Sequence, residues 1–89
     1  MLFELGEVVG TPAAIELLEA NGRTPIEFLD RHVEGDWGEV CHEDDIDNFR
    51  SLKEGTRILS VYQVTKHDRI WIITEADRSV TTILLSNEY

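Results

Sequence analysis

The sequence has few of the features that mark secreted or membrane proteins. Its single cysteine, Cys41, has no second thiol with which to form an internal disulfide, and this favours a reducing environment. Its longest apolar runs, such as residues 70–73, are far below the roughly 18 residues of a membrane-spanning helix. The first residues lack the basic and then apolar pattern of a secretion signal. We therefore expect a cytoplasmic protein with no membrane segment.

Basic residues are also scarce. Eight lysines and arginines stand against 18 aspartates and glutamates, for a formal net charge of −10. The phosphate backbone repels such a chain, so direct nucleic-acid binding is not expected. The excess is uneven, because residues 27–54 carry ten acids against three bases whereas residues 55–89 carry four of each. The charge favours a protein partner with a basic surface.

The length of the chain limits its organisation. Eighty-nine residues are enough for one hydrophobic core and too few for two, so we predict a single domain over residues 1–89. A domain of this size has little room for a large enzymatic cleft. Its margin of stability is modest, so a homo-oligomer is among the assemblies that we consider.

Helix signals occupy the first part of the chain. Two Thr-Pro pairs, at residues 11–12 and 24–25, each place an N-cap hydroxyl before a proline at the first helical position. They predict two short helices that end before Gly22 and Gly35. A third helix, acidic in its first turns and basic near its end, is predicted to run up to Gly55. Most of its surface is expected to be acidic and solvated, because its apolar side chains form only a narrow stripe: Ile46, Phe49 and Leu52.

Strand signals flank these helices. Residues 3–9 predict an N-terminal strand, and the β-branched and aromatic residues of 57–65, 69–75 and 80–85 predict three more. Their short connections favour antiparallel hairpins. The predicted fold is α+β, with an N-terminal strand, three short helices and a three-stranded antiparallel meander. We expect the helices to pack on one face of the sheet.

The densest polar group lies between His32 and Asp45. Its spacing matches no standard zinc pattern, so neither a metal nor another cofactor is expected. A nucleophilic role for Cys41 would need a paired histidine and an oxyanion hole that the sequence does not reveal. Residues 34–47 contain seven acids and no base, which predicts a charged face that steers a basic partner. The candidate partner-binding residues are Asp36, Trp37, Glu39, Glu43, Asp44, Asp45 and Asp47.

Trp37 has two open placements. It lies between Asp36 and Gly38, close to a second glycine at position 35. In the first placement the indole folds back as a lid on the core, and Asp36 caps the turn through its own backbone. In the second placement the indole is exposed and anchors a partner.

A second candidate site lies at a predicted hairpin. Glu75, Asp77 and Arg78 could converge with His32 and Asp36 and supply the acid and base of a small enzyme or of a metal-dependent protein. The structural alternative is a clamp in which Arg78 forms a bidentate pair with a nearby carboxylate. The sequence alone leaves both interpretations open.

Two segments carry distinctive patterns: H-x-x-G-D-W-G over residues 32–38 and I-W-I-I-T-E-x-D-R-S-x-T-T-x-L-L over residues 70–85. With G-x-R-I-L-S-x-Y over residues 55–62, they resemble a family of small bacterial proteins that are often encoded on plasmids and other mobile elements. The resemblance extends over nearly the whole chain. It implies no activity, catalytic residue or cofactor, because none is established for that family. The sequence departs from the family pattern at His42 and at residues 66–68, which argues against a role for His42 or His67.

Three functions remain open. The first is a non-enzymatic module that binds a basic DNA-binding or host-defence protein, whose phosphate ligand the acids would imitate. A mobile-element setting suits an inhibitor of a host-defence nuclease. The second is the small enzyme or metal-dependent protein described above. The third is a toxin–antitoxin component, because the same element order describes ribosome-dependent RNase toxins. Those toxins are basic, so the charge of this chain favours a regulatory role over a toxic one.

Overall fold

A computed structural model describes all residues, 1–89, and has three helices and four strands. The helices are α1 (Pro12–Ala20), α2 (Pro25–Val33) and α3 (His42–Glu54); the strands are β1 (Glu7–Gly10), β2 (Ile58–Gln63), β3 (Arg69–Thr74) and β4 (Val80–Leu85), followed by a 3₁₀ turn (Ser86–Glu88). The α+β class and the three helices are confirmed. No helix combines the length and the apolar character needed to cross a bilayer.

The helices begin and end where the local sequence predicts. The Thr11 hydroxyl accepts a hydrogen bond from the amide of Ala14 at 3.2 Å, and Pro12 occupies the first position of α1. α3 ends at Gly55, whose φ of +70° is the left-handed conformation that glycine adopts without strain. Local capping chemistry therefore accounts for these boundaries.

The sheet is mixed, with strand order β1-β4-β3-β2. The β2–β3 and β3–β4 pairs are antiparallel, as the short turns predict. β1 pairs in parallel with β4, with Val9 beside Thr82, so the description of the sheet as an antiparallel meander is incomplete. Turn rules govern only strands that a short turn joins, and the helices and two strands separate β1 from β4. β1 also begins later than predicted, because Gly6 (φ +65°) bends the chain against the carbonyl of Ser79.

Two apolar clusters lie on one face of the sheet. α1 and α2 cover the larger cluster, which comprises Ala14, Leu18, Phe28, Leu29, Tyr62, Ile70, Ile72 and Ile83. The smaller cluster comprises Phe3, Val33, Trp37 and Ile58. The prediction that the helices pack on one face of the sheet thus holds for α1 and α2. α3 packs Leu52 against the smaller cluster and is in addition bound to the edge of β2.

Asn48 of α3 joins the helix to that edge. Its Nδ2 donates to the carbonyl of Leu59 at 2.6 Å, and its Oδ1 accepts from the amide of Leu59 at 3.0 Å. Two residues further along β2, the backbone groups of Val61 also point away from β3. The Val61 amide donates to the carbonyl of Trp37 at 3.0 Å, and the Val61 carbonyl accepts from the amide of Glu39 at 2.6 Å. The asparagine and the 37–39 segment together occupy the backbone groups that an edge strand otherwise leaves free.

Asn48→Ala should destabilise the protein by about 2 to 6 kcal/mol, because it leaves two backbone groups of Leu59 without partners and each costs about 1 to 3 kcal/mol. Urea unfolding followed by circular dichroism measures the change. Asn87→Ala is the matched control, because Asn87 is exposed and makes no side-chain hydrogen bond. Equal stability of the two variants would contradict the role assigned to Asn48.

Candidate functional site

The molecule has no ligand-sized cavity. No pocket opens on its surface, and no three histidine, cysteine or carboxylate side chains are grouped as metal ligands. The candidate residues must therefore be judged by what each side chain contacts and by what it exposes.

His32 is fully buried within a chain of hydrogen bonds. Its Nδ1 lies 2.5 Å from the hydroxyl of Ser60, and its Nε2 lies 2.9 Å from the hydroxyl of Thr74. The Thr74 hydroxyl lies 2.8 Å from that of Thr81, which donates to the carbonyl of Leu5 at 2.7 Å. A carbonyl only accepts, so each hydroxyl along the chain donates towards Leu5. His32 must then donate from Nε2, and in the neutral imidazole Nδ1 accepts from the hydroxyl of Ser60.

Burial favours the same state, since it lowers the pKa of His32 to about 4. Both ring nitrogens are already occupied by hydroxyl groups. The ring also packs edge-on against Phe3 at 5.0 Å and Trp37 at 5.8 Å between centroids. His32 is thus a structural residue with no free nitrogen for proton transfer.

The pH dependence of stability tests this state. Unfolded histidine binds a proton near pH 6.5, whereas folded His32 does so only near pH 4. Between these values the unfolded state holds more protons, so stability falls as the pH falls, by about 2 to 3 kcal/mol at pH 4.5. His32→Gln offers the same donor and acceptor without titrating, so it should lose this part of the pH dependence.

Urea unfolding at pH 7 and at pH 4.5 gives the comparison. His67→Gln serves as the control, because His67 is exposed and its side chain makes no hydrogen bond. This control should keep the pH dependence of the unchanged protein. The same difference between the two pH values in His32→Gln and in the control would rule out a buried neutral imidazole.

Asp36 is engaged in the turn that follows α2. Its carboxylate accepts two hydrogen bonds from Arg31, at 2.7 and 3.3 Å, and one from the amide of Gly38 at 3.2 Å. The Arg31 guanidinium holds the pKa of Asp36 below its usual range. Asp36 therefore caps the turn, and Arg31 offsets most of its charge.

Trp37 occupies the first of its two predicted placements. It is only 2% exposed and contacts three aromatic rings, including Phe3 at 6.1 Å and Phe49 at 5.4 Å between centroids. Its Nε1 is the one buried side-chain polar atom without a hydrogen-bond partner, so apolar packing holds the ring. Trp37 is a lid on the smaller core cluster. Its inclusion among the partner-contacting residues is corrected, because a partner cannot reach the ring.

The remaining acids of the candidate face differ in exposure. Glu39 and Glu43 are exposed and make no ion pair, whereas Asp44 and Asp45 are half-buried in the first turn of α3. The partial positive charge of the helix N-terminus stabilises acids at these positions. Asp47 is exposed and lies 3.5 Å from Arg50. Glu39 and Glu43 are thus the acids most available to a partner.

Three apolar side chains next to this face are half-exposed, and we call them the apolar patch: Leu2 (48%), Ile46 (45%) and Phe49 (49%). A Cβ atom at Gly35 would lie 3.0 Å from Leu2 and 3.4 Å from Phe49, so both side chains border that glycine. Ile46 lies one turn before Phe49 on α3 and therefore on the same side. Of the apolar stripe predicted for α3, Leu52 packs against the smaller core cluster, whereas the buried residues of the helix are Asn48 and Ser51.

Arg78 acts as a structural clamp, but its guanidinium binds backbone carbonyl groups and not a carboxylate. Its Nη1 donates to the carbonyls of Thr56, Glu75 and Ala76 at 2.7 to 3.1 Å, and its Nη2 donates to that of Ser51 at 3.0 Å. The predicted pairing with a carboxylate is wrong. Ser51 lies in the last turn of α3, where the helix carries partial negative charge. The guanidinium thus joins the end of α3 to the β3–β4 turn.

The second candidate site is not assembled. Asp77 accepts from the amide and hydroxyl of Ser79 at 3.0 and 2.6 Å, and the exposed carboxylate of Glu75 makes no hydrogen bond. No hydrogen bond or ion pair joins either residue to His32 or Asp36. These side chains serve separate turns and the core, so they provide no shared acid–base centre.

Arg78→Lys should destabilise the protein by about 2 kcal/mol, because one ammonium group cannot reach four carbonyls that a planar guanidinium spans. Thermal unfolding at neutral pH measures the change. Arg69→Lys is the control, since Arg69 is exposed and donates only to Gln63 at 3.2 Å. A loss no larger than that of the control would show that the clamp contributes little.

Comparisons with known proteins were made at three levels. No family model matches the chain, and neither a curated protein nor a solved structure matches it. The functional argument therefore depends on the geometry described above.

Proposed function

We propose that this chain is a non-enzymatic protein-interaction module that binds a basic protein through α3 and the loop before it. The observation that carries the proposal is the apolar patch beside the unpaired acids. Isolated exposed apolar residues are ordinary, but a contiguous group bordered by charge is typical of an interface. Phe49 is the expected anchor, because it is half-exposed and its ring lies against the buried Trp37.

The charges around the patch support a basic partner. Glu39 and Glu43 are free of ion pairs at the start of α3, where Asp44 and Asp45 add to the negative potential. Arg50 and Lys53 lie towards the other end of the helix. A partner is therefore steered to the N-terminal end of α3, with electrostatics governing encounter and the apolar contact governing retention.

A DNA-binding or host-defence protein is the partner class that we propose. Surfaces that bind DNA carry clusters of lysine and arginine, and a row of carboxylates can occupy the positions of phosphates. The proposal includes a cytoplasmic location, which the single exposed thiol of Cys41 supports. The enzymatic alternative receives no support, because no hydrogen bond or ion pair joins Glu75 or Asp77 to His32 or Asp36, and Arg78 binds backbone carbonyls.

The test begins with affinity capture of the tagged protein from bacterial lysate at low and at high salt, with bound proteins identified by mass spectrometry. The dissociation constant of a captured basic protein is then measured with purified components. We expect Glu39→Lys/Glu43→Lys and Phe49→Ser each to weaken binding at least tenfold, or about 1.4 kcal/mol. The effect of the charge reversal should shrink at 1 M salt, where the screening length is only about 3 Å.

Asp30→Lys is the matched control, because Asp30 is exposed on α2 and makes no hydrogen bond or ion pair. Glu39 and Glu43 are preferred to Asp44 and Asp45 for reversal, since both are exposed whereas Asp44 and Asp45 are half-buried. Glu39 lies outside α3, so Glu39→Lys alone tests the charge without changing the first turn of the helix. Equal binding by the control and by the α3 variants would refute the α3 surface. Retention of acidic proteins alone would refute the charge argument.

A further inference from the structure

The two edges of the sheet differ in whether other parts of the chain bind their outward backbone groups. The β2 edge is closed by Asn48 and by the 37–39 segment. β1, at the opposite edge, has all four of its residues exposed, with Val8 at 42% and Val9 at 40%. An open edge with exposed apolar side chains can accept a further strand.

The hydrogen bonds of β1 show which of its groups are free. Glu7 donates to Ser79, and Thr11 donates to Ile83, each at 2.9 Å. In a parallel pair, alternate residues turn their N–H and C=O groups towards the neighbouring strand. Val8 therefore directs both of its backbone groups away from β4, and so does Gly10. An added strand can form up to four backbone hydrogen bonds with these two residues.

The charged side chains that border this edge are acidic. Glu7 belongs to β1, and Glu88 accepts a hydrogen bond from the hydroxyl of Thr11 at 2.7 Å. Glu19 lies one turn after Ile15, whose side chain packs against Gly10. Residues 1–22 and 80–89 contain no lysine or arginine. A second copy of the chain would bring like charges together, whereas a basic segment would meet opposite ones.

We propose that β1 is a strand-addition site for an extended, basic segment of another protein. Backbone hydrogen bonds to Val8 and Gly10 provide the pairing, and lysine or arginine side chains of the segment lie near Glu7, Glu19 and Glu88. The site goes beyond the α3 surface, because β1 and β2 are opposite edges of the sheet. It can therefore be tested and can fail independently of that surface.

The probe is the peptide Lys-Val-Lys-Val-Lys-Val-Lys, with both termini blocked, and the matched control is Glu-Val-Glu-Val-Glu-Val-Glu. Both are titrated into ¹⁵N-labelled protein. We expect the basic peptide to shift the amide signals of Val8 and Gly10 and to slow their hydrogen exchange. The acidic peptide should cause neither effect, and added salt should weaken binding of the basic one.

Two variants test the pairing and the charge separately. Val8→Pro removes an outward amide without removing a bond to β4, and proline is tolerated on edge strands. Glu7→Lys reverses the charge and keeps the strand. Each should raise the dissociation constant at least tenfold, whereas Asp30→Lys on α2 should change it less than twofold. If Val8→Pro fails to fold, the strand-addition site is tested by the dissociation constant of Glu7→Lys and by the hydrogen exchange of Val8 and Gly10.

Four outcomes would overturn the inference. They are the absence of shifts at Val8 and Gly10, equal binding of the acidic peptide, unchanged affinity in Glu7→Lys, and concentration-dependent pairing of β1 without peptide. Shifts confined to Ile46 and Phe49 would also reject β1 while supporting the α3 surface. Shifts at β1 together with α3 variants that leave binding to a basic protein unchanged would reject the α3 surface instead.

Discussion

The hydrogen-bond chain that starts at His32 is the interaction on which the rest of the structure depends. It crosses the helix-covered face of the sheet, from Ser60 on β2 through Thr74 on β3 to Thr81 on β4, and ends on the carbonyl of Leu5. Because one end is a carbonyl, the direction of each bond from His32 Nε2 to Leu5 is set, and burial disfavours the charged imidazole. A buried polar network that is fully satisfied favours a single packing arrangement over others of similar compactness. In this protein it fixes α2 and the N-terminal segment relative to three strands.

The proposed α3 surface follows from that arrangement. Trp37 packs on His32, and Phe49 packs on Trp37. The buried His32 ring therefore helps to fix the position of the half-exposed Phe49 ring through the indole of Trp37. Two further contacts hold α3 in place. Asn48 binds the edge of β2, and Arg78 binds a carbonyl in the last turn of the helix. A surface supported in this way needs little reordering when a partner binds, which lowers the entropic cost of association.

The sequence predicts those elements whose signals are local, and it misses what depends on distant contacts. The Thr-Pro caps, the glycine at position 55 and the β-branched runs identify the helices and the last three strands closely. The parallel β1–β4 pair is missed because its partners are far apart in sequence. The exposure of Ile46 and Phe49 is not evident from the sequence, because helical periodicity marks one face without saying how deeply that face is buried. His32 and Asp36 are grouped with Glu75 and Asp77 on chemical type alone, and only tertiary structure separates them. The role of the acids from Glu39 to Asp47 in binding a partner remains a prediction.

Charge connects folding with binding in this chain. A net charge of −10 on 89 residues opposes compaction through self-repulsion, and the fold reduces that cost locally. Asp36 and Glu27 pair with arginines, and Asp44 and Asp45 occupy the first turn of a helix. Glu39 before α3 and Glu7 in β1 have no such compensation, and Glu43, although it lies in the first turn of α3, has no ion pair. A basic partner at either surface would supply it, and by mass action it would stabilise the folded state as well as bind it. Acids without compensation are thus present at both surfaces where a basic partner is proposed, as well as at Asp30 and Glu75, and the neutral C-terminal part of the sequence, residues 55–89, supplies three of the four strands of the sheet.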